Sequence, residues 1–199
     1  VTGRSAGLVL AAGGSRRMGQ PKQLLPVDGR PLLGVVVAHA CASSLDEVVV
    51  VLGGHADEIV AAVDMGRARI VVNAAFAEGM SSSLKSGIAA MDDDVSRVII
   101  VLGDQPDVSP ALIDSLLELQ ETSGRPAAAL SFDGLLHPPV VLERSLWADL
   151  ADLQGDVGCR AIIRSRPESV APLAAVGRSG HPIDIDTLDD YRRLVGAES

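Results

Sequence analysis

Four short runs rich in aliphatic and β-branched residues, Gly7 to Ala12, Glu47 to Leu52, Arg69 to Asn73 and Val98 to Leu102, read as buried strands. Between them lie Pro31 to Ser44, Ala56 to Asp64 and Ser81 to Met91, whose apolar residues recur at helical spacing, with Pro31 suited to a first helical turn. A β-α-β-α-β-α-β order leaves few folds open. Parallel strands joined by right-handed crossovers satisfy it, and such sheets bind ligands outside the carboxyl ends of their strands. Composition agrees: 47% of residues are hydrophobic but only 2% aromatic, so Val, Leu, Ile and Ala must fill the core, as in a sheet covered on both faces. The expected class is α/β.

After Ser109 to Thr122, another helix by its spacing, the pattern loosens. Strand-like segments recur at Ala127 to Phe132, Pro139 to Leu142 and Ile183 to Ile185. With 199 residues and no repeat, linker or composition shift, the chain reads as one domain over 1–199. Residues 1–106 would serve mainly one ligand, and residues 107–199 mainly a second one and the completion of a metal site.

The strand ends carry the chemistry. Ala11 and Ala12 close the first strand and Gly13 and Gly14 follow it, Gly53-Gly54-His55 follow the second, Asn73 closes the third and Gly103-Asp104-Gln105-Pro106 follow the fourth. Adjacent glycines after a buried strand let backbone N–H groups converge, which attracts phosphate. Arg16, Arg17 and Lys22 then concentrate positive charge in a chain of net charge -9. A Walker A loop fails here, because Gln20-Pro21 stands where Lys and Ser or Thr are required, and a dinucleotide fingerprint fails because Gly13 and Gly14 are adjacent. A triphosphate held by backbone amides and separate cations fits.

A carboxylate at Asp104 would repel such a polyphosphate unless a cation lay between, and Mg²⁺ suits one or two carboxylates plus phosphate oxygens. Asp184 and Asp186 alternate along a strand-like segment and would share a face, with helix capping near Leu188 as the other reading. The acidic balance without a basic stripe speaks against nucleic acid and anionic membranes as partners. No stretch reaches the ~18–20 apolar residues of a membrane span, and no secretory leader is evident, so the expected location is cytoplasmic. Cys41 and Cys159 form no C-x-x-C and read as free thiols. His39 reads as packed, His55 as a helix-start residue with or without a role in the cleft, Asp92-Asp93-Asp94 as a solvated run, and Trp147 as a packing anchor.

Together the segment Leu10-Ala-Ala-Gly-Gly-Ser-Arg-Arg-Met-Gly-Gln-Pro-Lys22, Gly103-Asp104 and Ile183-Asp-Ile-Asp-Thr187 resemble the MobA-like nucleotidyltransferases. Gly79-Met-Ser-Ser-Ser-Leu-Lys-Ser-Gly87, His137-Pro138 and Gly155-Asp-Val-Gly-Cys-Arg160 are most similar to the molybdenum cofactor cytidylyltransferase branch. The resemblance implies a Rossmann-like three-layer α/β/α fold with a mostly parallel sheet. It implies that Gly13, Gly14 and Ser15 give backbone contacts, that Arg17 and Lys22 hold phosphates, with Arg16 beside them, and that Gly79 and Ser81, Ser82 and Ser83 lie near the nucleoside. Gly54 and Asn73 would border the same pocket. Asp104 with Asp184 or Asp186 would bind Mg²⁺, and His137 and Asp156 would face the acceptor. Ala12 at the bend is similar to cytidylyl rather than guanylyl members. The implied reaction moves CMP from CTP to a phosphorylated acceptor of the molybdopterin kind, releasing pyrophosphate, in a monomer or weak homo-oligomer; the alternatives are guanylyl or cytidylyl transfer to another small phosphorylated acceptor, such as phosphoenolpyruvate, phospholactate or methylerythritol phosphate, and a nucleotide-sensing module without turnover. One departure is Leu136-His-Pro-Pro-Val140, where the branch carries Gly-His-Pro-Val.

Overall fold

The computed structural model describes residues 3–14, 19–175, 184–185 and 187–196. In chain order, β1 (Arg4–Ala11) leads through the hairpin β2 (Pro26–Val27) and β3 (Arg30–Pro31) into α1 (Leu32–Ala42), β4 (Glu47–Leu52), α2 (Ala56–Ala62) and β5 (Arg69–Val72). Next come α3 (Met80–Ala89), β6 (Val95–Leu102), α4 (Pro110–Ser123), β7 (Ala127–Phe132) and β8 (Leu135–Glu143). The remainder is α5 (Trp147–Ala151), α6 (Arg160–Ser165), β9 (Val170–Ala174) and α7 (Leu188–Gly196).

Seven strands form one sheet in the order β5-β4-β1-β6-β8-β7-β9. The first half is parallel throughout, as the alternation of strands and helices requires. Strand β1 shows how two layers of helix are recruited. Its Leu8 and Leu10 pack with Leu84 of α3, Leu150 of α5 and Ile163 of α6, whereas Val9 and Ala11 pack with Val36 of α1, Ile59 of α2 and Leu116 of α4. Both faces of the sheet are therefore covered, and this is the three-layer architecture expected.

Two expectations need correction. Arg69–Val72 is an edge strand rather than a buried one; β4 is its partner, and Val72 is 59% exposed. Asp184 and Ile185 lie outside any strand, and Ile183 and Asp186 fall outside the described residues. Ile185 is instead a hydrophobic anchor, buried with Leu25, Val27, Leu32 and Val35. The cap of α7 comes from Thr187, whose hydroxyl accepts from the Asp190 N–H at 3.2 Å while the Asp190 carboxylate accepts from the Thr187 N–H at 2.9 Å.

Strand β8 runs antiparallel between β6 and β7 and sets where the sheet opens. It pairs with β6 from Arg97–Glu143 to Ile100–Val140, and then Pro139 and Pro138 follow. Proline has no N–H to give a ladder, and the β7 register jumps from Ala129–Val140 to Leu130–His137 at this point. The carboxyl end of β6 thus emerges without β8 beside it. That gap leads to Gly103 and Asp104.

Candidate active site

The opening is a cleft of about 840 Å³, floored by Leu10, Ala11, Ala12, Gly13 and Gly14 and by Leu102, Gly103 and Asp104, with a far wall made of residues 156–161 and Arg164. It sits at the carboxyl ends of β1 and β6, where the topology places ligands. Lys22, Gly79, Ser83, Asp156 and Asp184 complete the convergence of the expected residues.

The bend after β1 is held from behind. Gln23, 3% exposed, donates from Nε2 to the Ala11 carbonyl at 2.8 Å and the Gly13 carbonyl at 3.0 Å. In a trans peptide the C=O and the following N–H point opposite ways, so both bonds turn the N–H groups of Ala12 and Gly14 away from Gln23. Among the described residues no atom lies within 4 Å of where a Cβ on Gly13 would stand. The described packing does not demand glycine there, and the missing side chain leaves the backbone open to close approach by a ligand.

Lys22 Nζ forms an ion pair with the Asp104 carboxylate, and the two side chains are 16% and 14% exposed. The bend and the end of β6 are thereby joined across the cleft. Asp104 is linked in turn to the C-terminal segment, because its carbonyl accepts from the Ile185 N–H at 3.2 Å. That bond, with Ile185 anchored in its pocket, delivers Asp184 to the same cleft. Asp184 Oδ1 accepts from Gln105 Nε2 at 2.6 Å, and Oδ2 lies 3.6 Å from Arg160 Nη2.

Asp104 and Asp184 both line the cleft, and a pair of carboxylates suits a hard divalent cation that keeps several waters and takes phosphate oxygens. The described residues contain no group of three or more His, Cys, Asp or Glu able to bind a metal alone. The donor set therefore fits a metal carried with a polyphosphate better than a closed protein cage.

Other expected residues stand behind the lining. Asn73 is a buried brace: its Oδ1 accepts from the Ala75 N–H at 2.9 Å and its Nδ2 donates to the hydroxyls of Ser82 at 2.8 Å and Ser83 at 3.1 Å. Ser82 bonds the carbonyls of Ala75 and Gly79, and buried Ser81 donates its N–H to the Gly155 carbonyl at 3.1 Å. Gly54 underlies the Phe76 ring, which itself lines the cleft. His137 sits in the β7–β8 ladder beside Pro138, and it is Pro138 that reaches the cleft. Ser15, Arg16, Arg17 and Asp186 lie outside the described residues.

Sequence reasoning overlooked Gln23, Phe76 and Arg164, and it placed Gln105 at a strand end without giving it a role. Gln23 and Gln105 are polar residues beside Lys22 and Asp104, and full burial of an amide next to a charged group is the signal that only coordinates reveal. Cys159 also touches the cleft, but burial pushes its thiol up to about 12, which leaves it protonated and inert.

The family described as MobA-like NTP transferase domain matches residues 7–170. Nicotine blue oxidoreductase of Paenarthrobacter nicotinovorans is 32% identical, covering 95% of each chain. A probable molybdenum cofactor guanylyltransferase of Mycobacterium avium (strain 104) is 29% identical over 98% of this chain and 96% of its own. The crystal structure of Rv0371C in complex with manganese from Mycobacterium tuberculosis H37Rv superposes with a TM-score of 0.84 at 30% identity, covering 98% of this chain and 99% of that one. A glycine bend, a cleft lysine, two neighbouring carboxylates and these likenesses converge on one assignment: the chain belongs to the MobA-like NTP transferase family and is a nucleotidyltransferase of that type.

Proposed function

We propose that the protein transfers a cytidylyl group from CTP to a phosphorylated small-molecule acceptor of the molybdopterin kind, releasing pyrophosphate. The observation that carries this reading is the Lys22–Asp104 pairing beneath the Gly13–Gly14 bend, which puts phosphate-binding and metal-binding chemistry in one cleft. The bend receives the triphosphate through the N–H groups of Ala12 and Gly14. Lys22 exchanges its carboxylate for phosphate oxygens and offsets the charge that grows as the α-phosphorus is attacked. When bound at Asp104 and Asp184, Mg²⁺ supplies further neutralisation of phosphate oxygens. A phosphate nucleophile needs no strong base, so positioning and charge are sufficient. The acceptor approaches from the wall carrying Asp156, Arg160 and Arg164, so that in the single domain residues 1–106 serve mainly the nucleotide and residues 107–199 mainly the acceptor and, through Asp184, the completion of the metal site.

Ala12, lining the cleft, supports CTP through its likeness to cytidylyl members. The Mycobacterium avium relative, described as a probable guanylyltransferase, favours GTP as the second reading. Calorimetric titration with CTP, GTP, ATP and UTP in the presence of Mg²⁺, followed by pyrophosphate release with molybdopterin and other phosphorylated acceptors, tests both. CTP binding tightest and turning over is the expected result. Tighter GTP binding overturns the base assignment, and nucleotide binding without pyrophosphate from any acceptor overturns catalysis in favour of sensing. NADPH belongs in the same screen because one relative is described as an oxidoreductase.

A further inference from the structure

Gln105 is wholly buried in the corner between β6 and α4. Its backbone is fixed on both sides, the N–H donating to the Leu102 carbonyl and the C=O accepting from the Val108 N–H, each at 3.2 Å. From this rigid frame the side chain gives its Nε2 to Asp184 Oδ1 at 2.6 Å. The other end of the amide, Oε1, is buried and makes no hydrogen bond among the described residues. An unsatisfied buried carbonyl is unfavourable, so a residue that merely filled this space would be better as leucine or methionine. The amide is explained by its donor.

We infer that Gln105 is a positioning residue that orients the Asp184 carboxylate for a divalent cation. A neutral donor suits this task in a way that a lysine or arginine would not. It fixes Oδ1 without adding a second cation to the Arg160 guanidinium that already lies 3.6 Å from Oδ2. Partners behind a metal ligand commonly govern affinity in this manner. The inference rests on the reading of Asp184 as a metal-binding carboxylate, and it adds the group that aims it.

The test is Mn²⁺ titration followed by electron paramagnetic resonance, with no nucleotide present, on the full chain and on Gln105→Met, Gln105→Asn, Asp184→Asn and the double variants. Methionine matches the length of glutamine but cannot donate. Asparagine keeps the amide but falls one methylene short, and its smaller volume serves as a second route if the methionine variant fails to fold, which thermal melting reveals. Both Gln105 variants are expected to bind Mn²⁺ roughly 10- to 100-fold more weakly. The losses from Gln105 and Asp184 changes should also fall short of additive in the double variants, because one acts through the other. Wild-type affinity in folded Gln105 variants, or fully additive losses, overturns the inference, as does wild-type protein that binds no Mn²⁺. Failure of nucleotidyl transfer itself reads differently: no pyrophosphate is released, yet the Gln105 effect on Mn²⁺ persists.

Discussion

Lys22 and Asp104 are 82 positions apart in the sequence and meet as an ion pair that spans the cleft. Replacing Lys22 by alanine removes the charge expected to follow the triphosphate into the transition state. Turnover of pyrophosphate should fall roughly 10²- to 10³-fold, by analogy with loss of a single oxyanion donor; unchanged kcat would remove Lys22 from that role. Gly13→Ala separates binding from folding. Its Cβ meets none of the described residues, so melting should shift by no more than about 0.5 kcal/mol equivalent, whereas calorimetry should show weaker nucleotide binding. Cys159 offers a pH test. Its thiol keeps its proton up to about 12 in the folded protein, while the unfolded chain releases it near 9.0. The unfolded state thus binds fewer protons between those values, so the contribution is complete below 9.0 and declines as pH climbs toward 12. Urea unfolding at pH 8 and pH 10.5 should show wild type losing about 1–2 kcal/mol relative to Cys159→Ala.

At the scale of elements, the turn from residue 73 to α3 and the loop before α6 lock together through backbone. Gly79 has φ 105°, and a Cβ there would lie 2.3 Å from the Gly155 carbonyl carbon. Gly79→Ala combines backbone strain with a collision that neither main chain can relieve, so a loss of at least about 2 kcal/mol is expected in chemical denaturation. Stability within error of wild type would mean that the two loops part without cost. The strands and helices of the first half were legible because hydrophobic period and length agree there: Glu47–Leu52 falls where the residues place it, and in the looser second half Ala127–Phe132 does so too. Arg69–Val72 was misread as buried because a run of Ile and Val carries no mark of whether a neighbour lies on both sides. The segment around Asp184 was misread because alternation of Ile and Asp looks like a strand, while the isoleucine at 185 is anchored instead against α1 and the β2–β3 hairpin.

For the molecule as a whole, alternating strands and helices dictated the layers and hence the end at which the cleft opens. The sequence could also place Asp104 and the bend at the same edge of the sheet, since both follow strand carboxyl ends; that their strands are neighbours is seen only in the structure. It could not show that Asn73, Ser81 and Ser82 build the corner behind the cleft, because a polar side chain at a strand end serves a turn or a ligand equally well until its partners are seen. Nor could it show Gln23 and Gln105, whose roles depend on contacts with carbonyls and a carboxylate remote in the chain. Among the described residues no helix is long and apolar enough to cross a membrane. The cleft draws on both halves of the chain, so metal and nucleotide binding should be mutually dependent. The most direct measurement is calorimetric titration of CTP with and without Mg²⁺, on wild type and Asp104→Asn. Wild type should bind CTP at least about tenfold more tightly with Mg²⁺, a gain of roughly 1.4 kcal/mol, and Asp104→Asn should lose that gain. CTP affinity indifferent to Mg²⁺, or a gain that survives in Asp104→Asn, would contradict the joint grip of bend and carboxylate on one metal-bound triphosphate.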